Sequence, residues 1–242
     1  MPEGPEVKRI TEKLASYVSG ATLYSYEVVS GRYKKTDHPP GFDILSELLP
    51  LKIVGAGCHG KFIYMILEDN SSIWSTLGMS GRWSQSADKH TRIRLQTSLG
   101  DIYFSDIRNF GTLKFVQRKQ DLISKLQSLG PDMLAEDVSM DQSVIAGVGN
   151  YLKSESLYYA GISPHRSCNT LTNEELSVLN KSIKRVIKAS YMSGGATIRS
   201  YSDFDGNIGE YSRRFAVYNQ KLDPEGRSVL KEKTKDQRST FW

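Results

Sequence analysis

The stretch LGPDML (residues 129–134) separates two textures of one chain. Its Gly-Pro step breaks helices and central strands alike. Upstream, TLYSYEVVSG (22–31), KFIYMILEDN (61–70), SIWSTLGMSGRW (72–83), HTRIRLQTSLGD (90–101) and LKFVQ (113–117) are short, β-branched or aromatic runs. They are punctuated by Gly, Asn and Asp turns, with EDNSS (68–72) and TSLGD (97–101) as hairpin connections. Downstream, YLKSESLYYAGI (151–162) and TNEELSVLNKSIKRVIKASYMSGG (172–195) have helical spacing. In the second, Thr172 and Glu175 form a capping box, and Leu176, Leu179, Ile183, Val186 and Ile187 make one apolar face.

Working outward to the termini, Val7, Ile10, Leu14 and Val18 predict an amphipathic helix from Gly4 to about Val18, stopped by Gly20. From about Phe215 the tail turns β-like and charged, and KLDPEGRSVLKEKTKDQRSTF (221–241) suits an exposed hairpin. The expected fold class is α+β. An N-terminal β-sandwich with flanking helices spans 1–129, a helical domain spans 130–214, and a terminal hairpin spans 215–242.

Bulk composition narrows the classes further. The chain has 242 residues and a mean hydropathy of −0.42, and no apolar run approaches the roughly 18 residues of a membrane span. Glu3 and Glu6 stand where a cationic, apolar leader would be. The two cysteines, Cys58 and Cys168, lie far apart and without CxxC spacing, which predicts reduced thiols in an intracellular protein. Lys and Arg outnumber Asp and Glu by 32 to 27, a mild pointer to a polyanionic partner.

Three constellations carry chemistry. AGVGNY (146–151) precedes a helix; its glycines admit a phosphate to free helix N–H groups, with Asn150 and Lys153 in support. An ordinary interhelical glycine turn reads equally well. In SDIRNFGTLKF (105–115), Arg108 and Phe110 share one side of the local chain, as a group filling a gap in a base stack would. A core aromatic beside a surface arginine is the plainer alternative. TLGMSGRW (76–83) puts Leu77 and Met79 beside glycines, as either a loop tip or plain packing.

The third constellation is MPEGPEV (1–7). Removal of Met1 leaves Pro2 with a secondary α-amine, whose reference pKa of about 7.7–8.0 keeps more of it neutral near pH 7 than a lysine. Attack on a sugar C1′ would give an iminium, an electron sink for expelling the 3′ phosphate, with Glu3 and Glu6 as proton donor and acceptor. Proline in the first turn of a helix explains the same letters more simply.

Taken in order, the motifs MPEGPEV, GKF (60–62), LGMSGR (77–82), DIRNFG (106–111), LGPD, DQSVIAGVGNYLKSESLYYAGISP (141–164), GGATIRSY (194–201), FAVYNQ (215–220) and QRSTFW (237–242) span the chain. In this order it resembles the formamidopyrimidine-DNA glycosylase/endonuclease VIII family of base-excision repair enzymes. The resemblance implies a bifunctional DNA glycosylase and AP lyase without a cofactor. Pro2 would be the Schiff-base nucleophile, Glu3 the general acid/base, Glu6 the second acid, Lys61 a phosphate-contacting lysine that assists elimination, and Arg238 the arginine at the tip of the finger hairpin. His90, Arg108, Asn150 and Lys153 fall at expected DNA contacts. Met79 and Phe110, helped by Leu77, would fill the space of the everted nucleotide. Residues 141–162 resemble the helix–two-turn–helix.

The sequence departs from the family in three places. Where the family carries zinc-binding cysteines, LDPEGRSV (222–229) has none and no His follows His165, so the resemblance is to the zincless, endonuclease VIII-like branch, with no metal. Leu222, Val229, Leu230, Phe241 and Trp242 are then the expected packing of the hairpin. Five residues, AEDVS (135–139), replace the helix and loop expected before MDQSVIAGVGN. At about 3.5 Å each they are too short for that arm, which predicts missing residues and no ordinary peptide link at Ser139–Met140. Thr76 stands where a larger polar residue is common.

The implied partner is double-stranded DNA with oxidised bases or abasic sites, with single-stranded DNA a further candidate, bound by a monomer wherever DNA is repaired (nucleus, cytoplasm or viral factory). Oxidised pyrimidines rank narrowly first, with ring-opened purines and hydantoins. GGATIRSYSDFDGNIGEY (194–211) resembles instead a loop that covers oxidised purines, so an 8-oxoguanine/formamidopyrimidine preference is the alternative. A non-catalytic relative that binds damaged DNA is the other, and retained Pro2, Glu3, Lys61 and Arg238 argue against it.

Overall fold

Residues 2–35, 38–134, 145–198, 201–234 and 237–242 are described by the structure, a computed structural model. The apolar steps of the N-terminus form helix α1 (Gly4–Val18), in which Val7, Ile10, Leu14 and Val18 are wholly buried. Each such burial stabilises by about 1.5–3 kcal/mol. Gly20, at φ +83°, turns the chain away as predicted.

Eight strands follow: β1 (Thr22–Val28), β2 (Leu51–His59), β3 (Phe62–Leu67), β4 (Ser72–Thr76), β5 (Gly81–Ser84), β6 (Thr91–Thr97), β7 (Gly100–Asp106) and β8 (Thr112–Val116). They make one antiparallel sheet in the order β5-β7-β6-β1-β2-β3-β4-β8. β1 and β2 share only the pairs Thr22↔Lys52 and Leu23↔Leu51, so the sheet folds there into the two layers of the expected sandwich. The layers meet where Trp83, fully buried, donates its indole N–H to Ser75 Oγ at 3.1 Å. Helices α2 (Arg32–Lys35) and α3 (Phe42–Leu48) cross between β1 and β2, and Phe42 and Leu45 are buried in the same core.

α4 (Lys119–Gln127) leads out of the sheet towards the Gly-Pro break. Beyond it lie α5 (Asn150–Ala160), ended by Gly161 in the left-handed region, and α6 (Asn173–Met192). The capping box of α6 is present, with Thr172 Oγ1 accepting the Glu175 N–H and Glu175 Oε2 accepting the Thr172 N–H. Tyr151, Leu152, Val186, Ile187 and Tyr211 form a second core between α5 and α6. The shortened stretch 135–144, on which the expected interruption at Ser139–Met140 and the first arm of the helix–two-turn–helix fall, lies outside the described residues. Among the described residues, no helix is long and apolar enough to cross a membrane.

The tail ends in a hairpin of β9 (Lys231–Lys233) and β10 (Ser239–Phe241). Its packing differs from expectation. Phe241 is 5% exposed and stacks on Tyr218 at 5.0 Å, but Leu222 and Leu230 are 56% and 54% exposed. Phe241, with Trp242 edge-on to His165 at 5.4 Å, supplies the expected apolar packing, and Leu222 and Leu230 do not.

Three glycines fasten the two halves. Gly60, Gly147 and Gly4 pack backbone to backbone: a Cβ on Gly60 would sit 2.7 Å from Gly147 N, and one on Gly147 would sit 3.3 Å from Gly4 Cα. Gly147 also has φ +87°. Gly147→Ala is therefore expected to cost about 1–3 kcal/mol of stability, read as a lowered thermal midpoint. Gly161→Ala, which meets nothing within 4 Å, carries only the φ penalty and serves as the control.

Candidate active site

Helix α5 begins with donors and no side-chain cap of its own. Its anion arrives from the other end of the chain. Glu3 Oε2 accepts N–H groups from Gly149 at 2.8 Å and Leu152 at 3.3 Å, and Glu3 Oε1 accepts from Tyr151 at 3.0 Å. The phosphate-cradle reading of AGVGNY is thereby corrected, because those donors hold an internal carboxylate. The block is spent on this junction. The Gly147 carbonyl accepts the Gly4 N–H at 2.9 Å, and the Val148 carbonyl accepts Lys61 Nζ at 2.9 Å. A Cβ at Gly149 would fall 2.2 Å from Glu3 Cδ, so no larger residue leaves room for the carboxylate.

Glu6 completes the lock. Its Oε2 accepts the Glu3 N–H at 2.7 Å, as a first-turn acid caps its own helix. Its Oε1 accepts the Tyr151 hydroxyl at 2.9 Å and the Ala196 N–H at 2.7 Å. Glu6 is fully buried and Glu3 is 2% exposed. Burial pushes the Glu3 carboxyl up to about 7, against the pull of Lys61 and the backbone donors. Glu6 is raised chiefly by burial too. Lys61, at the tip of the β2–β3 turn, is lowered by burial, with Glu3 opposing that shift and Arg238 adding to it. A carboxyl near 7 can hold or release a proton at neutral pH, and burial makes the neighbouring Lys61 easier to deprotonate than a free lysine.

Pro2 is buried, and it lines both a cavity of about 390 Å³ with His59, Lys61, Thr76, Leu77 and Gly147 and a small pocket with Met79, Ser80 and Tyr201. Thr76 is held there by its hydroxyl contact to Thr112 Oγ1 at 2.7 Å. A second cavity, of about 580 Å³, is bounded by Glu3, Asn150, Ile198, Tyr218, Asn219 and Arg238. Arg238 is exposed beside Gln237, which has a φ of +58° at the hairpin turn.

The loops after β4 and β7 carry the projecting residues. Met79 and Phe110 are 40% and 55% exposed. The Arg108 guanidinium lies 5.2 Å over the Phe110 ring, with NH1 3.1 Å from Met79 Sδ. Leu77 does not join them. It is 2% exposed and belongs to the sandwich core, so its expected part in the wedge is corrected to a wall of the Pro2 cavity. His90 lies behind the same loop, its carbonyl accepting the Asp106 N–H at 3.0 Å. Asn150 and Lys153 face the hairpin: Asn150 Nδ2 donates to the Ser239 carbonyl at 2.5 Å, and Lys153 Nζ to Thr234 Oγ1 at 3.3 Å.

Among the buried acids passed over in the sequence, Asp106 and Glu155 bear most on the site. Asp106, 1% exposed, accepts from Ser80 Oγ and the Arg108 and Gly111 N–H groups, and so fixes both projecting loops. Glu155, fully buried on α5, accepts the successive N–H groups of Ala216, Val217 and Tyr218. Its signal was an acid four residues after Tyr151, on the buried face of a helix.

Comparison with known proteins agrees with this geometry. Residues 1–113 match the formamidopyrimidine-DNA glycosylase N-terminal domain, and residues 131–202 match the H2TH domain of the same glycosylase. Formamidopyrimidine-DNA glycosylase of Desulfitobacterium hafniense is 30% identical over 254 residues, covering 93% of this chain and 90% of that protein. The MutM (Fpg) protein of Thermus thermophilus superposes with a TM-score of 0.86 at 30% identity, covering 100% of this chain and 97% of the other. A Lactococcus lactis Fpg variant in complex with DNA containing Fapy-dG superposes with a TM-score of 0.88 at 25% identity, over 100% and 97% of the two chains. The chain belongs to the formamidopyrimidine-DNA glycosylase family, whose members are DNA glycosylases with AP lyase activity.

Proposed function

We propose that this chain removes oxidised bases from double-stranded DNA in base excision repair and then cleaves the strand, using Pro2 as nucleophile. The observation that carries the reading is the Glu3 carboxylate. It is clamped at the N-terminus of α5, next to Pro2, with Lys61 in electrostatic reach. After Met1 is removed, the Pro2 amine adds to C1′ and the C1′–N bond to the base breaks. Glu3 delivers the proton that the departing base needs; the C1′–O4′ bond then breaks, O4′ takes up the proton that the Pro2 nitrogen gives up, and a C1′ iminium remains. The resulting iminium acidifies C2′–H, and loss of that proton expels the 3′ phosphate. A second elimination expels the 5′ phosphate. The 580 Å³ cavity beyond Glu3 is the room for the everted nucleotide. Met79, Arg108 and Phe110 fill the gap it leaves, and Arg238, Lys61 and His90 meet the backbone.

Ring-opened purines are our first choice of substrate, ahead of oxidised pyrimidines. The relatives carry the formamidopyrimidine name, and one neighbouring structure holds DNA with a Fapy-dG lesion. The loop after α6 also supports this choice. Ile198 borders the large cavity, while Phe204 anchors the loop in the sandwich core, 2% exposed and 5.9 Å from Tyr17. One chain supplies every residue of the site, so a monomer suffices. The units 1–129, 130–214 and 215–242 are then the sandwich, the DNA-binding helical part and a metal-free finger.

Three outcomes are expected. Protein with Met1 removed is trapped on abasic-site duplex by borohydride, and Pro2→Gly weakens or abolishes the adduct. No adduct with correctly processed protein would refute the mechanism. On a panel of formamidopyrimidine, 8-oxoguanine and thymine glycol duplexes, the ring-opened purine is cut fastest; a preference for thymine glycol would reverse the substrate order.

Third, Glu3 loses its proton as pH rises through about 7 and so supplies a descending limb of single-turnover base release, opposed by the rise that comes as the Pro2 amine becomes neutral. Glu3→Gln slows release by about a hundredfold or more and removes the descending limb alone. A Glu3→Gln profile of the same shape as wild type would exclude Glu3 as the acid.

A further inference from the structure

Residues 215–242 contain neither cysteine nor histidine, so this segment offers no soft ligand for the zinc that the family's fingers carry. Where the family's first cysteine pair is expected stands LDPEGRSV, and its Asp223 has no oxygen to spare. Asp223 Oδ1 accepts the N–H groups of Glu225 at 2.9 Å and Arg227 at 2.8 Å. Asp223 Oδ2 takes Arg227 Nε at 2.7 Å and lies 3.5 Å from the Tyr158 hydroxyl on α5. The Asp223 side chain is 6% exposed. Around it the chain closes a turn: Asp223 N–H to the Arg227 carbonyl, Gly226 N–H to the Asp223 carbonyl with Gly226 at φ +81°, and Val229 N–H to the Lys221 carbonyl.

A zinc knuckle performs two tasks: it closes a tight turn around an anionic centre, and it ties that turn to the rest of the finger. Here a carboxylate collecting two backbone donors does the first. Arg227 reinforces the turn from within, and Tyr158 does the second, tying it to α5. From the closed turn the chain passes directly into Leu230, which exchanges both backbone hydrogen bonds with Trp242, at 2.8 and 3.1 Å. β9 and β10 follow, with Arg238 leading into β10. The other anchorage of β10 is also on α5, through Asn150 to the Ser239 carbonyl and the Phe241 N–H to Ser154 Oγ at 3.2 Å. The finger thus hangs from α5 through Tyr158 at the closed turn and through Asn150, Lys153 and Ser154 at the hairpin, with Arg238 in the turn just before β10.

We propose that Asp223, clasped by Arg227 and Tyr158, is a positioning residue that takes the place of the metal knuckle and holds Arg238 over the active site. The inference rests on reading Arg238 as a DNA contact, and its test separates the two. Asp223→Ala, in the full chain, loses the centre of the turn. Asp223→Asn keeps an oxygen for the two N–H donors and loses only the ion pair. Loss of the two backbone hydrogen bonds to Asp223 Oδ1, which only the alanine variant suffers, corresponds to about tenfold in an equilibrium constant.

The expected result is that Asp223→Ala raises KM for abasic-site duplex by about tenfold, leaves kcat within a factor of about two, and is largely rescued in Asp223→Asn. Hydrogen exchange speeds up at Val229, Leu230 and Trp242 in the alanine variant only, a readout that needs no activity. Treatment with 1,10-phenanthroline leaves wild-type KM unchanged. Unaltered exchange in Asp223→Ala, an equal fall in kcat with no rescue, or inactivation by the chelator would each overturn the proposal. Faster exchange with an unchanged KM would keep the clasp and refute the role of Arg238.

Discussion

One carboxylate organises this molecule. Glu3 belongs to the N-terminus of α1 and serves as the cap of α5, some 146 residues away. Two helix N-termini, each positive by dipole and by unpaired N–H groups, converge there on a pair of buried acids. Glu3 satisfies α5, and Glu6 satisfies Glu3's own N–H together with Tyr151 and Ala196. Breaking either acid would leave several buried donors without partners, at about 1–3 kcal/mol each. The position of Pro2 is a consequence. The residue before a doubly bonded Glu3 has little freedom, and it borders the cavity that Lys61 also enters.

The same junction explains why the site is made of glycines as much as of charges. Lys61 reaches the Val148 carbonyl because Gly60 lets the β2–β3 turn press against Ala146 and Gly147. Asp132, in the break between the halves, accepts the Gly60 N–H at 2.8 Å and steadies that turn. From α5 the order passes on to the finger, through Asn150, Ser154, Glu155 and Tyr158 in turn. The helix that Glu3 caps is therefore also the spine on which Arg238 is hung. Stability and the placement of Pro2 and Arg238 share one element.

What could be read from the letters followed the physics of each element. α1, α5 and α6 were legible because each has sharp ends, Gly20, Gly161 and the Thr172–Glu175 box, and α1 and α6 add strong periodicity. β2 was not, since α1 packs across it and small residues interrupt its alternation; a Cβ at Gly57 would meet the Tyr64 ring at 2.6–2.7 Å. α3, at seven residues, is too short to show a period. In the site, Glu3, Glu6 and Lys61 were readable through family resemblance, and their partners were not. Asp106 and Glu155 bind backbone N–H groups, which leave no trace in side-chain identity. The AGVGN glycines announced a close approach to an anion correctly, but one sequence cannot say that the anion is Glu3.

Pro2, the proposed nucleophile, lines a pocket that also contains Lys61, whose amine, easier to deprotonate through burial, could form an imine of its own at C1′. Mass-spectrometric mapping of the borohydride-reduced protein–DNA adduct decides between them. The account predicts the sugar remnant on the N-terminal peptide, at the Pro2 nitrogen. A remnant on the Lys61 side chain, with the Pro2 nitrogen unmodified, would contradict it.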